Sequence, residues 1–387
     1  MTNSFINFYD SNDIIPVRQF DSMSVQHFRR RTRLYSSLSV PMEILKGKSI
    51  LEIGAGTGEN SRVCLDFSPS KYSFLDASQS VIKGLGQRFN KEIFDGTVEV
   101  FSRDMNESWP NHTFDFVIAE ACIPGQKNPL KALERVSALV AKNGYLIFTT
   151  QSASSLLPEI LRRILALQLK PYCKRNEDWT QTCLSFFEGT LKKLKGMSRN
   201  PQDWVLDVLI HPWHEGSQVF EYQSAFSVLD NDFNLVGLSP NWVIRDHWYK
   251  DDIEEKSTFH SSSIEVYRQA SVFLMDKDER ACDIHLMNKG QSEHISEICT
   301  LIYEQHLRCS QRQTVTPEDL EILHELLNKL ISYFKRSHSK IHQCIEEFVS
   351  ISNKLADSFY PKEDYFKNKT FENWWGRGQQ YCAFQRI

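Results

Sequence analysis

Over residues 48 to 150, hydrophobic positions come in short runs separated by stretches of helical period. Ile50, Leu51 and Ile53 predict a first strand. Lys71-Tyr-Ser-Phe-Leu-Asp76, Thr97-Val-Glu-Val-Phe-Ser-Arg-Asp-Met105, Phe114-Asp-Phe-Val-Ile-Ala-Glu120 and Tyr145-Leu-Ile-Phe-Thr-Thr150 predict four more. Between them, a helix is expected from about Asn60. Another is expected over Leu130 to Val140, with Leu130, Leu133, Val136, Leu139 and Val140 as its stripe and Asn143-Gly144 closing it. Strands alternating with helices predict a parallel sheet with crossovers, whose ligands gather at the carboxyl ends of the strands.

The flanking chain reads as mostly helical. Residues 14 to 47 predict an N-terminal helical segment, with Phe20, Met23, Phe28, Leu34 and Leu38 as core contacts. Leu156, Leu157, Ile160, Ile164 and Leu167 mark a helical insertion over 153 to 212. A helix from Tyr222 to Asp230 then leads into a strand near Phe233 to Trp242, and Ile264 to Met275 is expected to supply the last strand. Beyond Asp276, Ile295, Ile298, Ile302 and Leu307 mark one helix. A second starts at Thr316-Pro-Glu-Asp319, which combines an N-cap, a proline in the first turn and an acid three residues on. Ile341, Ile345, Phe348 and Leu355 mark a third. The expected divisions are 1–47 (helical cap), 48–152 (ligand-binding core), 153–212 (helical insertion), 213–276 (end of the sheet) and 277–387 (helical appendage and aromatic tail).

The chemistry concentrates in Lys48-Ser-Ile-Leu-Glu-Ile-Gly-Ala-Gly-Thr-Gly-Glu-Asn60, where glycines at every second position let the backbone turn with nothing between it and a ligand. The following helix aims its unpaired N–H groups at that ligand. A dinucleotide fold would need its third glycine at position 59, which is Glu59. Asp76 lies 18 residues past Gly58 at a strand end, where a carboxylate suits a pair of ribose hydroxyls.

The run Gly-x-Gly-x-Gly with Glu52 two residues ahead resembles motif I of the class I S-adenosylmethionine-dependent methyltransferases. With the acids at successive strand ends, the resemblance is specific over about residues 48 to 150. It implies an α/β, Rossmann-like sheet with helices on both faces, to which the helical insertion and C-terminal appendage are added. It implies S-adenosylmethionine contacts at Glu52, Gly54, Ala55, Gly56, Gly58, Asp76, Ala77, Asp104, Met105 and Glu120, with Glu120 and Ile123 toward the methyl donor and acceptor. In related enzymes the N-terminal segment folds over the cofactor, which places Tyr35 as a cap. The family often carries a His-His pair where this chain has Pro124 and Gly125, so proton removal is expected instead at His211 or His214, in Ile210-His-Pro-Trp-His-Glu215. The catalytic candidates are therefore His211, His214, Glu120 and Tyr35, and no metal is expected.

Composition narrows the acceptor. A net charge of −4 argues against broad nucleic-acid binding. Basic residues nonetheless outnumber acidic ones between Leu161 and Arg199, and Arg18, Arg29, Arg30, Arg31 and Arg33 crowd the N-terminal segment, which suits an anionic substrate or carrier. No Asp/Asn-Pro-Pro-aromatic tetrad follows the fourth strand, and Cys122 precedes Ile123-Pro124 in place of a Pro-Cys nucleophile. Adenine N-methylation and cytosine C5-methylation are thereby disfavoured. A small-molecule or carrier-linked acceptor, methylated on oxygen or nitrogen, is the expected class. A peptide substrate held by the C-terminal helices and a non-catalytic cofactor-binding role are the alternatives. No secretory signal, membrane span or Cys-x-x-Cys is visible, and the 9 cysteines fit a reducing cytoplasm. The C-terminal helices are expected to pack or to form a homodimer. Trp374, Trp375 and Arg377 are expected to pack against the chain or a partner.

Overall fold

The computed structural model describes residues 8, 25–107, 112–173, 178–193, 200–211, 219–242, 256–278, 288–334, 339–358, 365, 367 and 369–387. They divide into two compact units, a sheet unit (residues 1–151, 217–267 and 379–387) and a helical unit (152–216 and 268–378).

The sheet unit carries seven strands: β1 (Ser49–Ile53), β2 (Lys71–Asp76), β3 (Val98–Ser102), β4 (Phe114–Ala119), β5 (Val140–Gln151), β6 (Phe233–Ser239) and β7 (Gln379–Arg386). Their order is β3-β2-β1-β4-β5-β7-β6. The first five pair in parallel, whereas β7 runs antiparallel to both neighbours. Apart from the edge strand β3, the parallel strands are buried on both faces because crossover helices cover them, and so their cores read as nearly unbroken apolar runs. This is the Rossmann-like α/β architecture.

Five helices of the unit position the site: α1 (Val25–Ser37), α2 (Glu59–Leu65), α3 (Gln79–Arg88), α4 (Asn90–Phe94) and α5 (Pro129–Ala138). Ser78 caps α3 by accepting from the Val81 amide at 3.3 Å, and Asn128 caps α5 by accepting from Lys131. α5 ends at Ala138, earlier than expected. Asn143 does not close it but adopts φ +61° inside the long β5, where the register with β4 also shifts. The α1 segment belongs to the sheet unit. The backbone of Leu38, just past its end, lies so close to β6 that a side chain at Gly237 would collide with the Leu38 carbonyl.

The expected last strand at Ile264 to Met275 is instead helical, formed by α10 (Lys256–Ala270), which follows α9 (Tyr222–Leu229), and a 3-10 turn over Ser271–Met275. Its apolar residues mimic a strand run. The place in the sheet is taken by β7 from the C-terminus, so residues 379–387 are not part of a helical appendage.

In the helical unit, α6 (Ala153–Gln168) is buried on all sides, as a central helix must be. Around it lie α7 (Trp179–Lys193), the short α8 (Pro201–Trp204) with a π-helical stretch over Val205–Ile210, α11 (Lys289–Arg312), α12 (Pro317–Phe334), α13 (Ser339–Ala356) and α14 (Lys369–Asn373). The expected Thr316 cap is present: Thr316 Oγ1 accepts from the Asp319 amide, and an Asp319 oxygen accepts from the Thr316 amide at 2.8 Å. The insertion and the post-276 helices thus form one unit. Trp374 is fully buried there, and the Arg162 guanidinium stacks 3.9 Å from the centre of the Trp375 ring. No helix among the described residues is long and apolar enough to cross a membrane.

Candidate functional site

β1 ends at Ile53 and the chain reverses over Gly54, Gly56 and Gly58, whose φ values are +70°, +56° and +74°. Only glycine adopts these cheaply. Two of the three are also confined: a Cβ on Gly54 would lie 2.8 Å from the Cβ of Cys122, and one on Gly58 would lie 2.6 Å from the Phe89 ring. The turn delivers the chain into α2 with Glu59 as its first residue. The Glu59 carboxylate is 3% exposed and is held by Thr57 Oγ1 at 2.5 Å and Arg88 at 3.3 Å. An anion therefore already occupies the surroundings of this helix start, where a dinucleotide would have to bring its pyrophosphate.

Below the turn, Glu52 is buried and accepts a hydrogen bond from the Tyr72 hydroxyl at 2.5 Å. Burial pushes its carboxyl up to about 7, although the Tyr72 hydrogen bond favours the charged form. On the neighbouring strand, Asp76 ends β2, half-buried, and accepts from the Ser78 amide at 2.9 Å. Ala77 follows it at the same edge. Next along the sheet, Asp104 accepts from the backbone and side chain of Asn106 at 2.8 and 2.9 Å, with Met105 half-buried between them. The Asn106 amide also donates to Gln126 at 2.9 Å, and Gln126 donates to the Cys122 carbonyl. The loops after β3 and β4 are thus tied together by two amides that carry no motif signal.

Glu120 follows β4 directly, and the chain leaves it through Ala121 at φ +60°, whose amide donates to Thr149 Oγ1 at 2.8 Å. Holding a non-glycine residue in this conformation costs about 1 kcal/mol or more, a local strain of the kind that collects at binding sites. Ile123 is fully buried behind it. Cys122 donates to the Ile53 carbonyl, and burial, with Asp76 adding to it, pushes its thiol well up. A thiol so held is a packing group and not a nucleophile.

The N-terminal helix supplies what sequence reasoning missed. The buried residues of α1 are His27, Arg31 and Tyr35, one per turn on a single face, so the Arg-rich segment docks by a polar stripe. Arg31 donates to both oxygens of Glu120, at 2.9 and 2.6 Å. Asn60 of α2 lies 3.4 Å from one of those oxygens and the Tyr35 hydroxyl 3.5 Å from the other. Burial opposes the Arg31 charge, but Glu120 beside it holds the guanidinium well above its ordinary value. Burial and the charge of Arg31 lower His27. Burial, with Glu120 adding to it, pushes Tyr381 of β7 up to about 12. Tyr35 is fully buried, in the unit's core cluster. The signal for the stripe was the i, i+4, i+8 spacing of a histidine, an arginine and a tyrosine.

Of the expected residues, Glu52, the glycine turn, Asp76, Asp104 and Glu120 come together at the carboxyl edge of the parallel strands. His211 belongs to the helical unit. Its ring is fully buried, and its carbonyl accepts from Arg163 at 2.6 Å. His214 lies outside the described residues, as do Arg18, Phe20 and Met23.

Residues 25–195 match the family model described as a methyltransferase domain. With the 3-2-1-4-5-7-6 sheet and the glycine turn followed by Glu59, this defines the class: residues 25–195 carry a methyltransferase domain. Among curated proteins, the hybrid PKS-NRPS synthetase traA of Penicillium crustosum is 30% identical over 103 residues, which cover 25% of this chain and 3% of the synthetase. Among solved structures, the N-methyltransferase NodS of Bradyrhizobium japonicum WM9 is 18% identical, with 38% of this chain and 76% of that chain covered and a TM-score of 0.31. The CcbJ methyltransferase of Streptomyces caelestis is 14% identical, with 38% and 59% covered and a TM-score of 0.30.

Proposed function

We propose that this chain binds S-adenosylmethionine in the glycine turn and transfers its methyl group to an oxygen or nitrogen of a small-molecule or carrier-linked acceptor. The observation that carries the reading is the cradle itself: three left-handed glycines lead into a helix whose first residue is an anion, beside a strand ending in Asp76. These residues fit a cationic nucleoside. The turn offers backbone without side chains, Asp76 presents a carboxylate for a ribose, and Glu59 disfavours phosphate.

When bound, the sulfonium supplies a strongly electrophilic methyl group, so the chain's task is alignment and exclusion of water. Gly54, Gly56 and Gly58 admit the donor, Asp76 orients it, and Asp104 and Met105 flank it. The loop that begins at the strained Ala121 shapes the acceptor side. The thiol of half-buried Cys122, engaged by the Ile53 carbonyl and raised, supports an acceptor that attacks directly, without a covalent enzyme intermediate. The likeness to a stretch of a PKS-NRPS synthetase supports a carrier-linked acceptor.

Incubating the protein with isotopically labelled S-adenosylmethionine and fractionated small-molecule and carrier-bound pools, followed by mass spectrometry, tests the reading. Label in an oxygen- or nitrogen-linked methyl of a small or carrier-bound product supports it. Label confined to polypeptide side chains, or calorimetry that shows nicotinamide dinucleotide binding in place of the methyl donor, would overturn it.

A further inference from the structure

α1 has two polar faces. His27, Arg31 and Tyr35 turn inward, whereas Arg29, Arg30 and Arg33 stand exposed on the opposite side of the helix. None of these three meets a carboxylate among the described residues, and α1 itself contains no Asp or Glu. Arg29 and Arg33 lie one turn apart, so their like charges weaken the helix that carries them. The chain as a whole has a net charge of −4, so this basic face is local and is not the mark of a basic protein. Beside it stand Val25, 66% exposed, and Phe28, 36% exposed and stacked on Phe67 at 5.9 Å between ring centres.

Arginine with exposed aromatic and aliphatic side chains, and no lysine, is the composition of a protein–protein contact. Guanidinium forks fit carboxylates two bonds at a time, and arginines one turn apart match carboxylates one turn apart on a facing helix. A lipid surface or a nucleic acid draws on net positive charge, which this chain lacks. We propose that the outer face of α1 docks an acid-rich helix of the carrier domain that delivers the acceptor. The inference rests on the carrier-linked arm of the proposed function and deepens it by naming the partner's surface. On the inner side of the same helix, Arg31 donates to both oxygens of Glu120, just past β4, so a carrier seated on α1 stands beside the edge of the sheet where the acceptor must arrive. Opposite charge on the two surfaces steers that arrival, and salt screens it.

One acceptor in two forms tests it. The acceptor that takes up label in the experiment above is presented either on a holo acyl carrier protein, a small acidic helical protein, or as its free pantetheine thioester, which lacks the protein surface. At low ionic strength, Arg29→Glu/Arg33→Glu is expected to raise KM for the carrier-bound form by about tenfold or more with kcat nearly unchanged, and to leave KM for the pantetheine thioester within about twofold. Added sodium chloride should raise the carrier-bound KM of the parent chain and have little effect on that of the variant. Both side chains are exposed, so the packed face of α1 is untouched, and S-adenosylhomocysteine affinity in calorimetry should match that of the parent chain, which separates lost docking from lost folding. An unchanged KM for the carrier-bound form in the variant, or an equal rise for both forms, overturns the inference. If the unchanged KM goes with lost binding to phosphatidylserine vesicles, the face belongs to a lipid surface instead. Label that enters free small molecules and never a carrier-bound one overturns the carrier arm of the parent reading and this inference with it, while methyl transfer itself stands.

Discussion

Tyr72 donates its hydroxyl to Glu52 at 2.5 Å, joining neighbouring strands β2 and β1 beneath the glycine turn. Because burial raises the Glu52 carboxyl to about 7, the folded chain holds a proton that the unfolded chain releases near its ordinary value of 4.5. The sign follows from proton counting. This contribution to stability is fully present below about pH 4.5, falls as pH rises, and is lost through pH 7. The difference amounts to up to about 3 kcal/mol. Urea midpoints of the ligand-free chain should therefore drop between pH 5 and 8 by more than those of Glu52→Gln, which keeps an acceptor for Tyr72 and does not titrate. Parallel pH profiles for the two proteins would exclude Glu52 as the source.

Gly54 combines φ +70° with a neighbour, Cys122, that leaves no room for a Cβ. Gly54→Ala should cost about 2 to 4 kcal/mol from the left-handed backbone and the overlap together. Thermal unfolding reads the first effect, and methyl-donor affinity should fall with it because the turn must shift. Cys122→Gly in the same chain removes the overlap but not the backbone term, so it should restore part of the stability. Full stability of Gly54→Ala alone would show that the turn is looser than its contacts indicate.

Asp76 separates ligand recognition from folding. It is half-buried, and one of its oxygens accepts from the Ser78 amide. Asp76→Asn keeps an oxygen for that bond but removes the charge, and methyl-donor binding should weaken by about 1 to 3 kcal/mol. The unfolding midpoint should move little. A variant that binds S-adenosylhomocysteine as tightly as the parent chain would remove Asp76 from the site.

The five parallel strands, the glycine turn and the acids at the strand ends were legible because each rests on local pattern: a buried apolar run, a backbone that needs glycine, a residue just past a strand. Arg31 was not legible as a site residue. Five arginines near the N-terminus have the look of a solvated face, and only the tertiary placement of α1 against β4 turns one of them inward onto Glu120. The apolar stretch at Ile264 to Met275 failed in the opposite direction. It has the β-branched and aromatic content of a strand, but it forms a helix and a 3-10 turn, and Tyr267 packs against Trp242 at 5.2 Å between ring centres. β7 was missed because Gln379-Gln-Tyr-Cys-Ala-Phe-Gln-Arg386 is partly polar and far in sequence from the strands it joins.

The aromatic tail now divides at Gly378 into two parts with different predicted effects. Upstream, Trp374 belongs to the interior of the helical unit, half-buried Trp375 lies against Arg162, and the backbone of Gly376 passes so close to the Ser155 carbonyl that no side chain fits there. Downstream, β7 is hydrogen-bonded to β5 over Tyr145–Gln151 and to β6 over Phe233–Ser239, with Cys382, Ala383 and Phe384 fully buried. Truncation after Gly378 therefore removes an interior strand and leaves the backbone of both neighbours without partners. The cost of several unsatisfied buried groups, at about 1 to 3 kcal/mol each, exceeds the roughly 5 to 15 kcal/mol that holds a domain together. The shortened chain should show no cooperative transition for the sheet unit and no methyl-donor binding, although its glycine turn is intact in sequence. A truncated protein that melts cooperatively and binds S-adenosylhomocysteine normally would mean that β7 is dispensable and that the parallel strands close the sheet without it.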